Sequence, residues 1–315
     1  MVRFGNPQLD MPADSEGFVH QALVYDSDEQ LVERVAPYLR EGLAEGPTIA
    51  VLTRGHWSLL REELGSDADA VTFTDCDDFY VRPVDAVASY DATMADLLAS
   101  GATSVRVAGE IPLQHTRGDW SEWISYEAIF NRALADRPVH VLCIYGSQNA
   151  PDHVIDAVWQ THPHVEASAS ASHPEYHHPR DVVAGHAAEP ASAPDLRTLE
   201  PTDDPLEFRE LLAAELTAAR APRARVMDML VAANEVFENA RHHGGGVSRA
   251  RAGLADGWFV CEIEDRGPGL DDPLAGYLPP RPGHGRGAGL WIARRLVRRL
   301  ELLTNAPGLT VRLWL

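Results

Sequence analysis

From residue 21 to residue 159 short apolar runs alternate with longer stretches in which apolar residues recur every three or four positions. Residues 21–25, 48–52, 70–73, 104–109 and 139–145 read as strands. Residues 29–43 read as a helix with Leu31, Val35 and Leu39 on one side, and 56–64, 83–98, 121–134 and 152–159 read as further helices. Strands with no polar alternation are covered on both faces, so this rhythm predicts an α/β domain with a parallel, doubly wound sheet. Beyond residue 196 the rhythm changes. Residues 205–220, with Phe208, Leu211, Leu212 and Leu216 at helical spacing, and 222–243 read as consecutive helices. Residues 258–264 form a strand pattern, a proline-containing irregular segment follows, and 291–300 reads as a helix before a closing strand at 308–315. Helices first and hairpin-like strands after predict an α+β sandwich, one layer of helices on one sheet. The segments divide as a leader at 1–15, a first domain at 16–183, an Ala/Pro-rich linker at 184–195 and a second domain at 196–315.

Ligands of doubly wound sheets bind beyond the carboxyl ends of the strands. The residues that follow the strands here include Tyr25 and Asp26, Arg54 and His56, Glu110 with His115 and Trp120, and Tyr145. That mixture of aromatic, acidic and imidazole groups suits a small-molecule pocket. Taken singly, Trp120, Trp123 and Tyr126 are better accounted for as core. No Gly-x-x-x-x-Gly-Lys-Ser/Thr loop follows the first strand, so the phosphate grip of that class of nucleoside triphosphatase is absent. His162, His164, His173, His177, His178 and His186 crowd one segment, but with no pair on a helix and no cysteine beside them they read as solvated loop histidines.

The second half carries a different chemistry. On the helix at 222–243, Glu235 and Asn239 lie one turn apart on a face separate from the apolar positions Leu230, Ala233, Phe237 and Ala240. A carboxylate and a carboxamide so placed suit a divalent cation held with phosphates. Asp265 leaves the end of a strand, where its carboxylate can accept a hydrogen bond from an exocyclic amine such as adenine's. Gly267 and Gly269 permit a tight turn close to a base. Gly285, Gly287 and Gly289 free a run of backbone N–H groups at a helix start, a phosphate cradle within which Arg286 can reach a terminal phosphate.

Composition narrows the partners. Lys+Arg 27 against Asp+Glu 47 leaves a net charge of −20, and every basic side chain other than histidine is an arginine. Such a balance argues against nucleic acid and against anionic membranes as partners. The arginines at 294, 295, 298 and 299 then read as a partner surface or a solvated face. Three cysteines, far apart, give neither a disulfide framework nor paired metal-ligand spacing, as suits a reducing compartment. With no signal-peptide core and no membrane-length apolar run, the expected location is the cytoplasm.

Two resemblances follow from these residues. Tyr25-Asp26-Ser27-Asp28-Glu29, Tyr126-Glu127, the strand at 141–145, His162-Pro163 and the run from His173 to Pro179 together resemble the MEDS domain, a sensory module of bacterial regulators. That resemblance implies a RecA-like fold without a P-loop and a small-molecule ligand of unstated identity. The ordered set Glu235-x-x-x-Asn239-Ala240-x-x-His243-Gly244, Asp265-x-Gly267-x-Gly269 and Gly285-x-Gly287-x-Gly289-Leu290 resembles the GHKL ATP-binding fold, its compact form being nearest to anti-sigma-factor serine kinases. Gly308-Leu309-Thr310 resembles the fold's terminal Gly-Thr with one residue inserted. The resemblance implies ATP and Mg2+ as ligands, Asn239 as the Mg2+ ligand, Glu235 as general base and Thr310 as an adenine contact. It also implies a sigma factor and a STAS-type anti-anti-sigma protein as partners, and leaves a homodimer open. Its alternative is an ATP-binding module that switches partners by binding alone. A sensor histidine kinase is disfavoured, because the helix at 205–220 holds no histidine to accept a phosphoryl group.

Overall fold

In a computed structural model the described residues are 17–111, 120–148, 150–167, 175–185, 195–270, 272–278, 288–304 and 308–315. The chain divides into two compact units, residues 1–186 and 187–315.

The first unit alternates β1 (Val19–Tyr25), α1 (Asp28–Glu45), β2 (Thr48–Leu52), α2 (Arg54–Leu64), β3 (Thr72–Asp75), α3 (Cys76–Phe79), α4 (Pro83–Ala99), β4 (Val105–Glu110), α5 (Ser121–Ala133), β5 (Val139–Gly146), α6 (Asp152–Thr161), β6 (His164–Ala167) and α7 (Pro179–Gly185). Its six strands pair in parallel in the order β3-β2-β4-β5-β1-β6, which is the doubly wound sheet that the uninterrupted apolar runs require. Helix α1 starts where Ser27 accepts from Gln30 N while Gln30 Oε1 accepts from Asp26 N at 2.8 Å, so two orphan N–H groups are satisfied. Leu23, Leu142 and Ile144 pack with Leu31, Val35 and Leu39 of α1. The alternate positions of β1 and β5, among them His20, Cys143 and Tyr145, therefore face the opposite way, toward α5. Tyr80, Tyr90, Trp123, Tyr126 and Phe130 form an edge-to-face aromatic cluster beneath α4 and α5, so Tyr126 is core.

The second unit runs β7 (Arg197–Thr198), α8 (Pro205–Ala218), α9 (Arg223–His242), β8 (Val247–Ala255), β9 (Trp258–Asp265), α10 (Ala288–Leu296), β10 (Arg299–Thr304) and β11 (Leu309–Trp314). The strands form one antiparallel sheet, β10-β11-β9-β8-β7. Phe208, Leu212, Phe237, Ala240 and Ala293 of the three helices bury against Cys261, Ile263, Val311 and Leu313, giving one helical layer on one sheet. Phe208 and Phe237 stack with centroids 4.3 Å apart, which fixes α8 on α9. The other sheet face buries a charge network: Arg312 pairs with Glu262 at 3.0 Å and Glu301 at 3.1 Å, and Arg251 also reaches Glu262.

Two features differ from the sequence expectations. The helix expected at 291–300 spans 288–296, because Arg298 N bonds to Trp314 O and Arg299 pairs with Trp314, drawing the next residues into β10. The arginines there divide, with Arg295 and Arg298 exposed and Arg294 and Arg299 drawn inward. Arg294 lies 3.7 Å from the Tyr277 ring centroid and is buried, Arg298 covers Trp258 and Arg299 pairs with Glu301. Among the described residues no helix is long and apolar enough to cross a membrane.

Candidate functional site

Helix α9 sorts its residues by face. Ala233, Val236, Phe237 and Ala240 are buried in the core, while Glu235 and Asn239, one turn apart, are half-buried on the flank. The first turn of α10 comes down on that flank. A Cβ added at Gly289 would lie 2.9 Å from Asn239 Nδ2 and 3.0 Å from Glu235 Oε2. A residue without a side chain is thus what allows the start of a helix, with its unpaired N–H groups, to approach this polar pair. The adjoining Leu290 packs against the core, and a Cβ on Gly276 (φ +77°) would lie 2.8 Å from the Leu290 Cβ, so segment 272–278 is pressed onto the same helix start.

Asp265 ends β9 and is buried. Its Oδ1 accepts from the backbone N–H groups of Gly267 and Leu309, both at 2.9 Å, which ties the turn after β9 to the beginning of β11. Among the described residues Oδ2 takes no hydrogen bond, leaving it as an acceptor. The backbone crowds in around the carboxyl group. A Cβ on Gly244 would lie 2.5 Å from Asp265 Cγ, one on Gly267 would lie 3.0 Å from Gly244 Cα, and one on Gly308 (φ +127°) would overlap Asp265 O. Arg266 N donates to Gly244 O at 2.9 Å and Gly246 O at 3.1 Å, locking the end of α9 to the end of β9. Gly269 takes φ +91°, a left-handed turn that favours glycine.

The structure therefore brings Glu235, Asn239, Gly289 and Leu290 together at one end of the site and Asp265, Gly267 and Gly269 at the other, joined by the last turn of α9. Gly285, Arg286 and Gly287 lie outside the described residues. Thr310 is not brought to the site. Leu309, Val311 and Leu313 face the helices, whereas Arg312 and Trp314 face away. Thr310 shares the parity of the latter two, and Leu309 occupies the side on which Asp265 lies. The inserted residue before Thr310 flips it to the far face, as a shift by one must in a strand. His242 turns to Glu238 at 3.1 Å and His243 merely closes the helix, exposed. Gly244 and Gly308 stand inside the motifs that carry the ATP-binding resemblance, whereas Gly276 belongs to no motif and has no signal in the sequence.

In the first unit the expected pocket residues separate into groups. The strand order turns outward in both directions between β2 and β4, a topological switch point. There Glu110 Oε2 accepts from Thr53 N at 3.0 Å and from His56 Nδ1 at 2.8 Å, and Tyr25 Oη lies 3.5 Å from His56 Nε2. Burial alone would lower His56, but Glu110 and then Asp28 outweigh it and hold the imidazole above its ordinary value. Asp26 instead bonds Ser147 and the start of α1, and Arg54, exposed, pairs with Asp75 at 2.6 Å. Trp120 and Tyr145 line a small apolar cavity elsewhere, beside Trp123, Ile124, Glu127 and Thr161. His115, His173 and His186 lie outside the described residues. Of the crowded histidines, His162 is fully buried, and it meets His20, Glu127 and Cys143 rather than the other loop histidines.

The family model of the MEthanogen/methylotroph, DcmR Sensory (MEDS) domain matches residues 19–163, and that of the histidine kinase-like ATPase domain matches residues 201–315. No curated protein matches the chain. The chain thus carries a MEDS domain followed by a histidine-kinase-like ATPase domain, the arrangement of a regulatory ATP-binding module.

Proposed function

We propose that the chain is a signal-responsive anti-sigma factor whose second domain binds Mg-ATP and phosphorylates a serine or threonine of a STAS-type anti-anti-sigma partner. The observation that carries this reading is the seating of Gly289, at the start of α10, against both Glu235 and Asn239. A carboxamide able to ligate a cation, a carboxylate and a helix start able to bind phosphate thus lie within one small region. The residues fit a nucleotide at the other end as well, since Asp265 presents Oδ2 as an acceptor on a rigid glycine-lined floor. Bound Mg-ATP would supply the phosphoryl group and the charge neutralisation that its transfer needs. Asn239 would hold the cation, Asp265 would accept from the adenine amine, and Glu235 would take the proton of the partner's hydroxyl as its oxygen attacks phosphorus. The first domain would take a small molecule at the switch point or in its apolar cavity and alter access of the sigma factor and the STAS partner to the second.

Incubation of the protein with γ-labelled ATP and candidate STAS partners tests this. Label on a partner serine or threonine, at least about 100-fold reduced in Glu235→Gln while ATP binding persists, is the expected result. Tight ATP binding without transfer to any STAS partner would replace it with a module that acts by binding alone. Undiminished transfer by Glu235→Gln would remove Glu235 as the base.

A further inference from the structure

We propose that His20, Glu127, Cys143 and His162 of the MEDS domain form a closed binding site for one Zn2+ ion. They reach one point from β1, α5, β5 and the residue that ends α6. All four are buried, with His20 and His162 each 1% exposed. Glu127 Oε2 lies 3.4 Å from Nε2 of both histidines and 3.6 Å from Cys143 Sγ, and His20 Nε2 lies 3.3 Å from the same sulfur. Tetrahedral zinc, with bonds of about 2.0–2.3 Å to nitrogen, oxygen and sulfur, places its ligand atoms about 3.3–3.6 Å apart. These four separations match edges of that tetrahedron, and all the ligand atoms lie within 4.8 Å of one another.

Hydrogen bonds around the four residues fix what they present to its centre. Val158 O is only an acceptor, so His162 Nδ1, 2.9 Å away, carries a proton and donates it. Asn131 Nδ2 donates to Glu127 O and to Thr161 O, which orients its carboxamide so that Oδ1 accepts from His20 Nδ1 at 3.0 Å. With both Nδ1 atoms so engaged, the two Nε2 atoms are the ones turned toward the carboxylate oxygen, and that of His20 toward the sulfur as well. His162 Nε2 is fully buried and makes no hydrogen bond. Cys143 Sγ donates to Glu127 Oε2 and is the one donor turned to the centre, so loss of its proton on metal binding would leave four ligand atoms facing a cation in an apolar interior. A thiolate and a carboxylate neutralise a divalent ion, and two imidazoles with one thiolate favour Zn2+ over the hard cations Mg2+ and Ca2+. Tyr145 Oη donates to Glu127 Oε1 at 2.8 Å, an outer bond of the kind that orients metal-bound carboxylates. Glu127 and Tyr145 also wall the apolar cavity, so a ligand in the cavity would touch the ion's own carboxylate.

The full chain, untagged and purified without chelators, is the material for the test. Elemental analysis is expected to find about one Zn2+ per chain. Loading the apo protein with Co2+ should give tetrahedral ligand-field bands and a thiolate-to-cobalt charge-transfer band, a readout that needs no variant. Cys143→Ser should abolish the charge-transfer band, and Asn131→Ala, which removes the hydrogen bond that orients His20 and those to the Glu127 and Thr161 carbonyls, should weaken Zn2+ binding about 10–100-fold. His177→Ala should change nothing. Folded full-length protein that neither retains Zn2+ nor develops cobalt bands would overturn the proposal, leaving a shared proton at the centre of the cluster. So would metal retained unchanged by Cys143→Ser, Asn131→Ala and His162→Gln alike.

Discussion

Asp265 performs two tasks with two oxygens, and a single substitution separates them. Oδ1 holds the turn at Gly267 and the start of β11 at Leu309, while Oδ2 is the acceptor proposed for an adenine amine. Asn keeps an acceptor for the two backbone N–H groups and replaces the other oxygen by a donor. Asp265→Asn should therefore leave the thermal midpoint nearly unchanged and weaken ATP binding by about 1.5–3 kcal/mol, roughly 10–150-fold, by titration calorimetry. Equal ATP affinity in the two proteins would exclude this carboxylate from base recognition. His56 makes a second residue-scale prediction, one of pH. Burial works against its charge, but Glu110 and Asp28 raise it above the ordinary value near 6.5. The folded state thus binds the proton more tightly than the unfolded chain. The stability this contributes is complete below pH about 6.5 and is lost as pH rises through the folded value. The half-buried position screens the pair, so about 1 kcal/mol is at stake. Melting curves of wild type and His56→Gln from pH 6 to 9 should converge toward the alkaline end, and parallel curves would contradict the assignment.

At the scale of elements, α9 is the part on which the second domain depends, since its inner face carries the core and its flank carries the site. Phe237 is fully buried against Phe208, 4.3 Å between centroids, two residues from Glu235 and Asn239 on either side. Phe237→Ala should cost about 3–5 kcal/mol of second-domain stability, with loss of ATP binding following unfolding rather than preceding it. Denaturant curves followed with and without nucleotide distinguish the two orders. The same helix shows why some elements are legible and others are not. Its apolar positions repeat at helical spacing, and its polar pair and terminal glycine stand in a fixed order, so sequence suffices. Strand β8 escaped because residues 247–255 alternate arginine with alanine and glycine and so lack an apolar signature. It is held by pairing with β9, from Val247↔Asp265 to Ala255↔Trp258. Thr310 was misplaced because one inserted residue reverses the facing of a strand, and only pairing reveals the register. The cluster of His20, Glu127, Cys143 and His162 was out of reach for another reason. Its members come from four elements, and parallel order, which places β1 between β5 and β6, is what joins them.

The whole molecule joins two domains, each with its own buried core, and carries a net charge of −20, which opposes non-specific binding to nucleic acid. Separate cores imply separate folding, so residues 196–315 alone should fold and bind ATP. If the first domain regulates the second, the regulation must appear as a difference between the full chain and that fragment. A ligand can shift an equilibrium only by its differential affinity for two states, and couplings of this kind amount to about 1–3 kcal/mol, or 5–150-fold. Deleting residues 1–190 should leave Mg-ATP affinity within about twofold and change STAS or sigma-factor affinity by an amount in that range. The reciprocal measurement is equally binding on the idea. Partner bound to the second domain of the full chain must alter the affinity of the first domain for its own small molecule by the same factor. Partner affinity identical in full chain and fragment, across every compound that binds the first domain, would mean that the two domains share a chain without sharing a signal.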